Sequence, residues 1–173
     1  IGPSGCGKST VGKVLAKSLN QPFVELDREL ENDHKKATNK LLTYREIFVM
    51  LGQNSFRALE TRTLKGLINS MKAKPFVLAC GGGTPLAKEN QTMLSKFGTI
   101  VLLNVSENVL LARIVRHGIP AFFPFPDDPK KSLALLLTRR IPVYKSIATL
   151  TVDLTDETPE EVSKIIIERI ESL

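Results

Sequence analysis

Residues 2–9 read Gly-Pro-Ser-Gly-Cys-Gly-Lys-Ser, the G-x-x-x-x-G-K-S spacing of a phosphate-binding loop. Each fixed residue has its own task on a nucleoside triphosphate. Gly5 and Gly7 let the backbone curl until successive N–H groups, from Gly5 and Cys6 through Thr10, point at phosphate oxygens. Lys8 carries a point charge to the β- and γ-phosphates, and the Ser9 hydroxyl suits a Mg²⁺ ligand. A helix starting here would aim its positive end at the same anion. The pattern predicts binding of ATP with Mg²⁺.

Four further groups could hold and orient the molecule that receives the phosphoryl group. Glu25 and Asp27 are two residues apart at the end of an apolar run, so they leave it on one side. Arg57 and Glu60, three apart, share a helical face. Gly81, Gly82 and Gly83 give a bare backbone that a ligand can approach closely. Arg139 and Arg140 stand side by side before Ile141-Pro142-Val143-Tyr144.

Alternating helical and strand-like segments must position these residues. Helical spacing of Val11, Val14, Leu15 and Leu19 predicts a helix over 9–19, and 23–26 reads as a strand. Helices are expected over 27–40, over 44–51 behind a Thr43/Glu46 capping box, and from an Asn54 cap to about 71. A strand over 76–79 enters the glycine loop, a helix covers 88–97, and the apolar run 99–103 reads as a buried strand. A helix over 107–116 leads to a Pro- and Phe-rich loop. A helix over 132–140 then breaks at Pro142, followed by a strand over 150–154. The last helix starts at Thr158-Pro159, with Val162, Ile165, Ile166, Ile170 and Leu173 inward. His34 and His117 read as surface or loop residues. Such alternation implies a single α/β domain over 1–173, a parallel sheet with helices on both faces. Ligands in such sheets sit at the carboxyl ends of the strands, where residues 2–9, Asp27 and Gly81, Gly82 and Gly83 fall. A P-loop ordinarily follows a buried strand, and only Ile1 precedes Gly2 here, so the first strand is expected to be truncated.

These motifs, in this order and at these separations, resemble the shikimate kinase family from residue 2 to about 148. The resemblance implies a three-layer P-loop kinase fold with a substrate-binding segment near 27–60 and a lid near 116–131. It implies ATP-dependent phosphorylation of the shikimate 3-hydroxyl. Asp27 would bind the acceptor hydroxyls and orient the attacking oxygen, the alternative being a helix N-cap. Arg57 and Arg140 would clamp the substrate carboxylate, with Glu60 orienting Arg57 and Arg139 left as a surface charge. Gly81, Gly82 and Gly83 would touch the substrate, and Arg113 would pack on the adenine. Two departures stand out. Glu25 occupies the place of the family's usual Asp, a carboxylate that helps hold Mg²⁺ through water. The lid's usual R-P-L-L is matched by Ile119-Pro120-Ala121-Phe122, without an arginine, which leaves Arg116, Lys130 and Lys131 as replacements. Phe122, Phe123 and Phe125 either close over the site or simply pack the loop.

With 173 residues, 42% hydrophobic and 24% charged, the composition is that of a soluble globular domain. The net charge of +6 comes from scattered basic residues without a dense block, which suits small anions better than nucleic acid. Cys6 and Cys80 have no metal-ligand spacing and fit a reduced, cytoplasmic setting. Neither a membrane partner nor an obligate second subunit is expected. Competing readings are a kinase of gluconate or of a nucleoside monophosphate, and a catalytically silent nucleotide-binding relative.

Overall fold

In the computed structural model, which describes residues 1–71 and 74–173, β1 (Phe23–Glu25) pairs in parallel with β2 (Val77–Ala79), and β3 (Val101–Val105) with β4 (Leu150–Leu154). Ile1 stands beside β3: its amino group donates to the Val101 carbonyl at 2.7 Å and its carbonyl accepts from Leu103 N–H at 3.0 Å. Side chains alternate along the strands, so each face feeds a different core. Val101, Leu103, Val105 and Val152 join Val11 and Leu15 of α1 (Lys8–Ser18), Leu110 and Ile114 of α5 (Glu107–His117), and Val162 and Ile166 of α7 (Pro159–Glu171). Opposite them, Leu78 and Ile100 join Leu64 of α3 (Tyr44–Ser70) and Leu94 of α4 (Lys88–Phe97). These are the three layers the alternation predicts, and among the described residues no helix is long and apolar enough to cross a membrane.

Several boundaries follow tertiary contacts rather than local pattern. The strand expected over 99–103 lies two residues later, because the apolar run has no alternation to fix it. Pairing with Ile1 and the register Val101↔Leu150 set its position. Helix α2 (Leu26–Thr38) begins one residue early, which puts Asp27 inside the first turn rather than at the cap. Thr43 and Glu46 form the expected capping box, but the break in α3 falls at Gly52 (φ 71°, ψ 169°), so Asn54 lies within the turn it was expected to cap.

Two further expectations fail near the chain's end. Helix α6 (Pro129–Ile147) starts at the Asp128 cap and runs straight through Pro142. A proline in a helix costs about 3 kcal/mol, but Arg140 and Tyr144 are buried on either side of it and anchor the helix. Leu173 is 73% exposed, so the inward stripe of α7 ends before it. His34 is likewise no surface residue, being 5% exposed within α2 with Nδ1 against the Thr38 hydroxyl.

Candidate active site

A cavity of about 730 Å³ opens at the carboxyl ends of β1 and β2, where the P-loop, the glycine loop, α2, α3 and the lid meet. Its phosphate end is built by backbone. Gly5 (φ 82°) and Gly7 (φ 99°) both adopt the left-handed conformation. Gly7 caps α1 without a side-chain hydrogen bond, which leaves the first N–H groups of the helix for an anion. Lys8 spans the loop, its ammonium donating to the Gly2 carbonyl at 3.0 Å and the Pro3 carbonyl at 2.7 Å. Arg113, on α5, donates to the Gly5 carbonyl at 3.1 Å and so edges the same loop.

Ser9 donates to Glu25, whose other carboxylate oxygen lies 3.3 Å from Arg28 Nε. A hydroxyl and a carboxylate at the phosphate end are hard oxygen donors of the kind Mg²⁺ takes alongside nucleotide oxygens. Among the described residues no cluster of His, Cys, Asp and Glu could hold a metal by itself. The donor set therefore fits a cation that arrives with phosphate.

The glycine loop is the hub of the other side of the cavity. A side-chain carbon at Gly81 would sit 2.9 Å from Asp27 Oδ1, and one at Gly83 would sit 2.1 Å from Arg57 Nη2. One at Gly82 would meet the Ser4 N–H at 3.3 Å and Arg140 Nη1 at 3.6 Å. Three consecutive bare positions thus let Asp27, Arg140 and Arg57 converge on one stretch of backbone, beside the P-loop.

Each of these groups is held. Arg57 Nη1 lies 2.7 Å from Oε2 of Glu60, which is 1% exposed and accepts the Thr84 hydroxyl on its other oxygen at 2.7 Å. Arg140 is 8% exposed, whereas neighbouring Arg139 is exposed, the surface charge that the resemblance implied. Burial lowers the Arg140 pKa from its ordinary value, and Arg57 pushes the same way. One turn on, fully buried Tyr144 donates its hydroxyl to the Gly82 carbonyl; burial raises its pKa to about 12, so the proton stays. Burial also raises Asp27 to about 6, with the Glu60 charge adding to the rise and Lys8 opposing it.

The lid divides its aromatics three ways. Phe122 lines the cavity, Phe123 is buried in the core, and Phe125 is exposed under Lys131, 4.5 Å from its ring centroid. Arg116, Lys130 and Lys131 are all exposed and do not line the cavity. Sequence reasoning gave no task to Tyr144, Phe48, Phe56, Arg28 or Arg45, all of which sit at the site. Tyr144 had a signal, its place one turn beyond Arg140; Arg45 had none, since only the fold brings the start of α3 to the cavity.

The shikimate kinase family model matches residues 4–171. A shikimate kinase from Thermodesulfovibrio yellowstonii is 37% identical over 173 residues, spanning 100% of this chain and 94% of that protein. The structure of shikimate kinase from Acinetobacter baumannii in complex with shikimate superposes with a TM-score of 0.88 at 30% identity, covering 99% of this chain and 90% of that one. Shikimate kinase from Aquifex aeolicus gives a TM-score of 0.77 at 31% identity, covering 99% and 94%. Sequence and fold agree over nearly the whole length, and the chain belongs to the shikimate kinase family.

Proposed function

We propose that this chain transfers the γ-phosphoryl group of ATP to the 3-hydroxyl of shikimate, giving shikimate 3-phosphate and ADP, within one domain over 1–173. The observation that carries this reading is the convergence of Asp27, Arg57 and Arg140 on the glycine loop, in the cavity that also holds the P-loop. Arg57 and Arg140 take the acceptor's carboxylate in planar, bidentate fashion, and the Gly82–Gly83 backbone lies against its ring. Asp27 accepts a hydrogen bond from the attacking hydroxyl and takes its proton as the bond to phosphorus forms. A carboxyl raised to about 6 is ionised at neutral pH and more basic than an ordinary aspartate. Lys8 and the N–H groups of residues 5–10 stabilise charge on the phosphate oxygens, which is the larger part of phosphoryl-transfer catalysis.

Ser9, and Glu25 behind it, would hold Mg²⁺, which would neutralise phosphate charge when bound. Arg113 borders the adenine. The segment near 27–60 carries the acceptor contacts and the lid near 116–131 covers them. To test the assignment, the protein is incubated with ATP and Mg²⁺ and with shikimate, gluconate or a nucleoside monophosphate in turn, and ADP release is followed. Release that depends on shikimate is the expected result. ATP binding without shikimate-dependent ADP would overturn it.

A further inference from the structure

The two clamp arginines are supported differently. Arg57 has the buried Glu60 carboxylate at 2.7 Å, while Arg140 forms no ion pair among the described residues despite being the more buried. The Tyr144 oxygen one turn on and the Glu60 charge favour this cation, and a buried guanidinium without an ion pair gains from any further source of negative potential. The Arg140 guanidinium carbon lies 5.1 Å from the ring centroid of Phe122, within range of a cation–π contact. That ring belongs to the lid, not to the helix carrying Arg140.

Phe122 is itself fixed from two sides. It meets Phe123 edge-on at 5.7 Å and 63°, and Phe48 of α3 at 6.4 Å and 77°. Phe48 meets Phe56 at 5.3 Å and 72°, and the Arg57 guanidinium lies 5.3 Å from the Phe56 ring centroid. Three rings therefore join Arg140 to Arg57 across the mouth of the cavity. Where the resemblance predicts a lid arginine directed at phosphate, this lid presents an aromatic face to the acceptor side.

We propose that Phe122 is a positioning residue for Arg140. It holds the guanidinium in place through its ring face and thereby couples the lid to the acceptor rather than to the nucleotide. This rests on the assignment of Arg140 to the acceptor's carboxylate. A desolvated cation–π contact corresponds to about a fivefold to thirtyfold change in binding.

The test is a set of substitutions at one site, with KM measured separately for shikimate and ATP. Phe122→Leu keeps the apolar bulk and removes the ring quadrupole, and Phe122→Tyr restores it. The expected result is a KM for shikimate raised about fivefold or more in the Leu variant and restored by Tyr, with KM for ATP unchanged. The chain has no tryptophan, so Phe122→Trp gives a single tryptophan whose emission is expected to shift on adding shikimate alone. A Leu variant equal to wild type, a Tyr variant as impaired as Leu, or equal rises in both KM values would overturn the proposal. So would an emission that answers only to nucleotide. Arg140→Gln separates the two readings. If it leaves shikimate binding intact, the assignment of Arg140 fails; if it weakens binding while Phe122→Leu does not, only the role of Phe122 fails.

Discussion

The main chain of Gly83 lies against the Arg57 guanidinium so closely that a methyl group on it would be 2.1 Å from Nη2. No side chain fits there unless Arg57 moves, and Arg57 is tied at 2.7 Å to Glu60, which is nearly inaccessible. Gly83→Ala is therefore expected to push the guanidinium off the position proposed for it against the acceptor's carboxylate. A lost charge-assisted contact predicts a KM for shikimate raised about tenfold or more, with KM for ATP within about twofold. Steady-state kinetics with each substrate varied in turn checks this.

Gly66 offers the opposite outcome and serves as a control. It is exposed within α3, and nothing lies within 4 Å of the carbon it lacks. Gly66→Ala is expected to raise unfolding free energy by about 0.5–1 kcal/mol through helix propensity, without changing turnover. Denaturant melts of the two proteins decide it.

Asp27 links activity to stability through pH. Its carboxyl is raised from 3.8 to about 6, first by burial and then by the Glu60 charge. Between those two values the folded protein binds more protons than the unfolded chain, so this group's contribution falls as pH rises through the window and stays low above it. Asp27→Asn removes the buried charge. The variant is expected to be more stable than wild type at pH 8, by about 1–3 kcal/mol, and no more stable near pH 4. Its turnover should collapse while ATP affinity holds, and wild-type kcat should fall as pH drops through about 6. Thermal melts at both pH values and a kcat–pH profile test the two halves.

The parts of the site that were legible in the sequence are those whose chemistry fixes a local spacing. Lys8 and Ser9 are bound to the P-loop pattern, and Arg57 and Glu60 meet because residues three apart share a helical face; Arg140 is told from Arg139 only through the family's R-x-P-x-Y pattern. The illegible parts depend on long-range packing. Nothing local joins the Tyr144 hydroxyl to the Gly82 carbonyl, 62 residues away, or brings Phe48 to the lid. Pro142 reads as a helix end because local propensity argues so, and the buried neighbours that override it are visible only in three dimensions. The three-layer fold was easier, since alternation of periods survives a two-residue error in any one strand.

Arg45 carries the last prediction. The expected lid arginine is missing, and Arg116, Lys130 and Lys131 are all exposed away from the cavity. Arg45 does line it, from the first turn of α3, with Nε donating to the Tyr44 hydroxyl at 3.1 Å. Tyr44 is in turn fixed by its N–H to the Glu31 carboxylate at 2.8 Å. Across the mouth, a side chain at lid residue Gly118 would come within 4.0 Å of Arg45 Nη1, so this guanidinium stands where the lid joins α5. It forms no ion pair among the described residues, which leaves its charge for an anion in the cavity. Removing a cation that stabilises phosphoryl oxygens typically costs one to three decades of rate. Arg45→Ala is expected to lower kcat about tenfold or more, whereas Arg116→Ala and the Lys130→Ala/Lys131→Ala pair stay within about twofold. Single-turnover rates of the three proteins at saturating ATP and shikimate separate the candidates. An unchanged rate for Arg45→Ala would return the role to the lid.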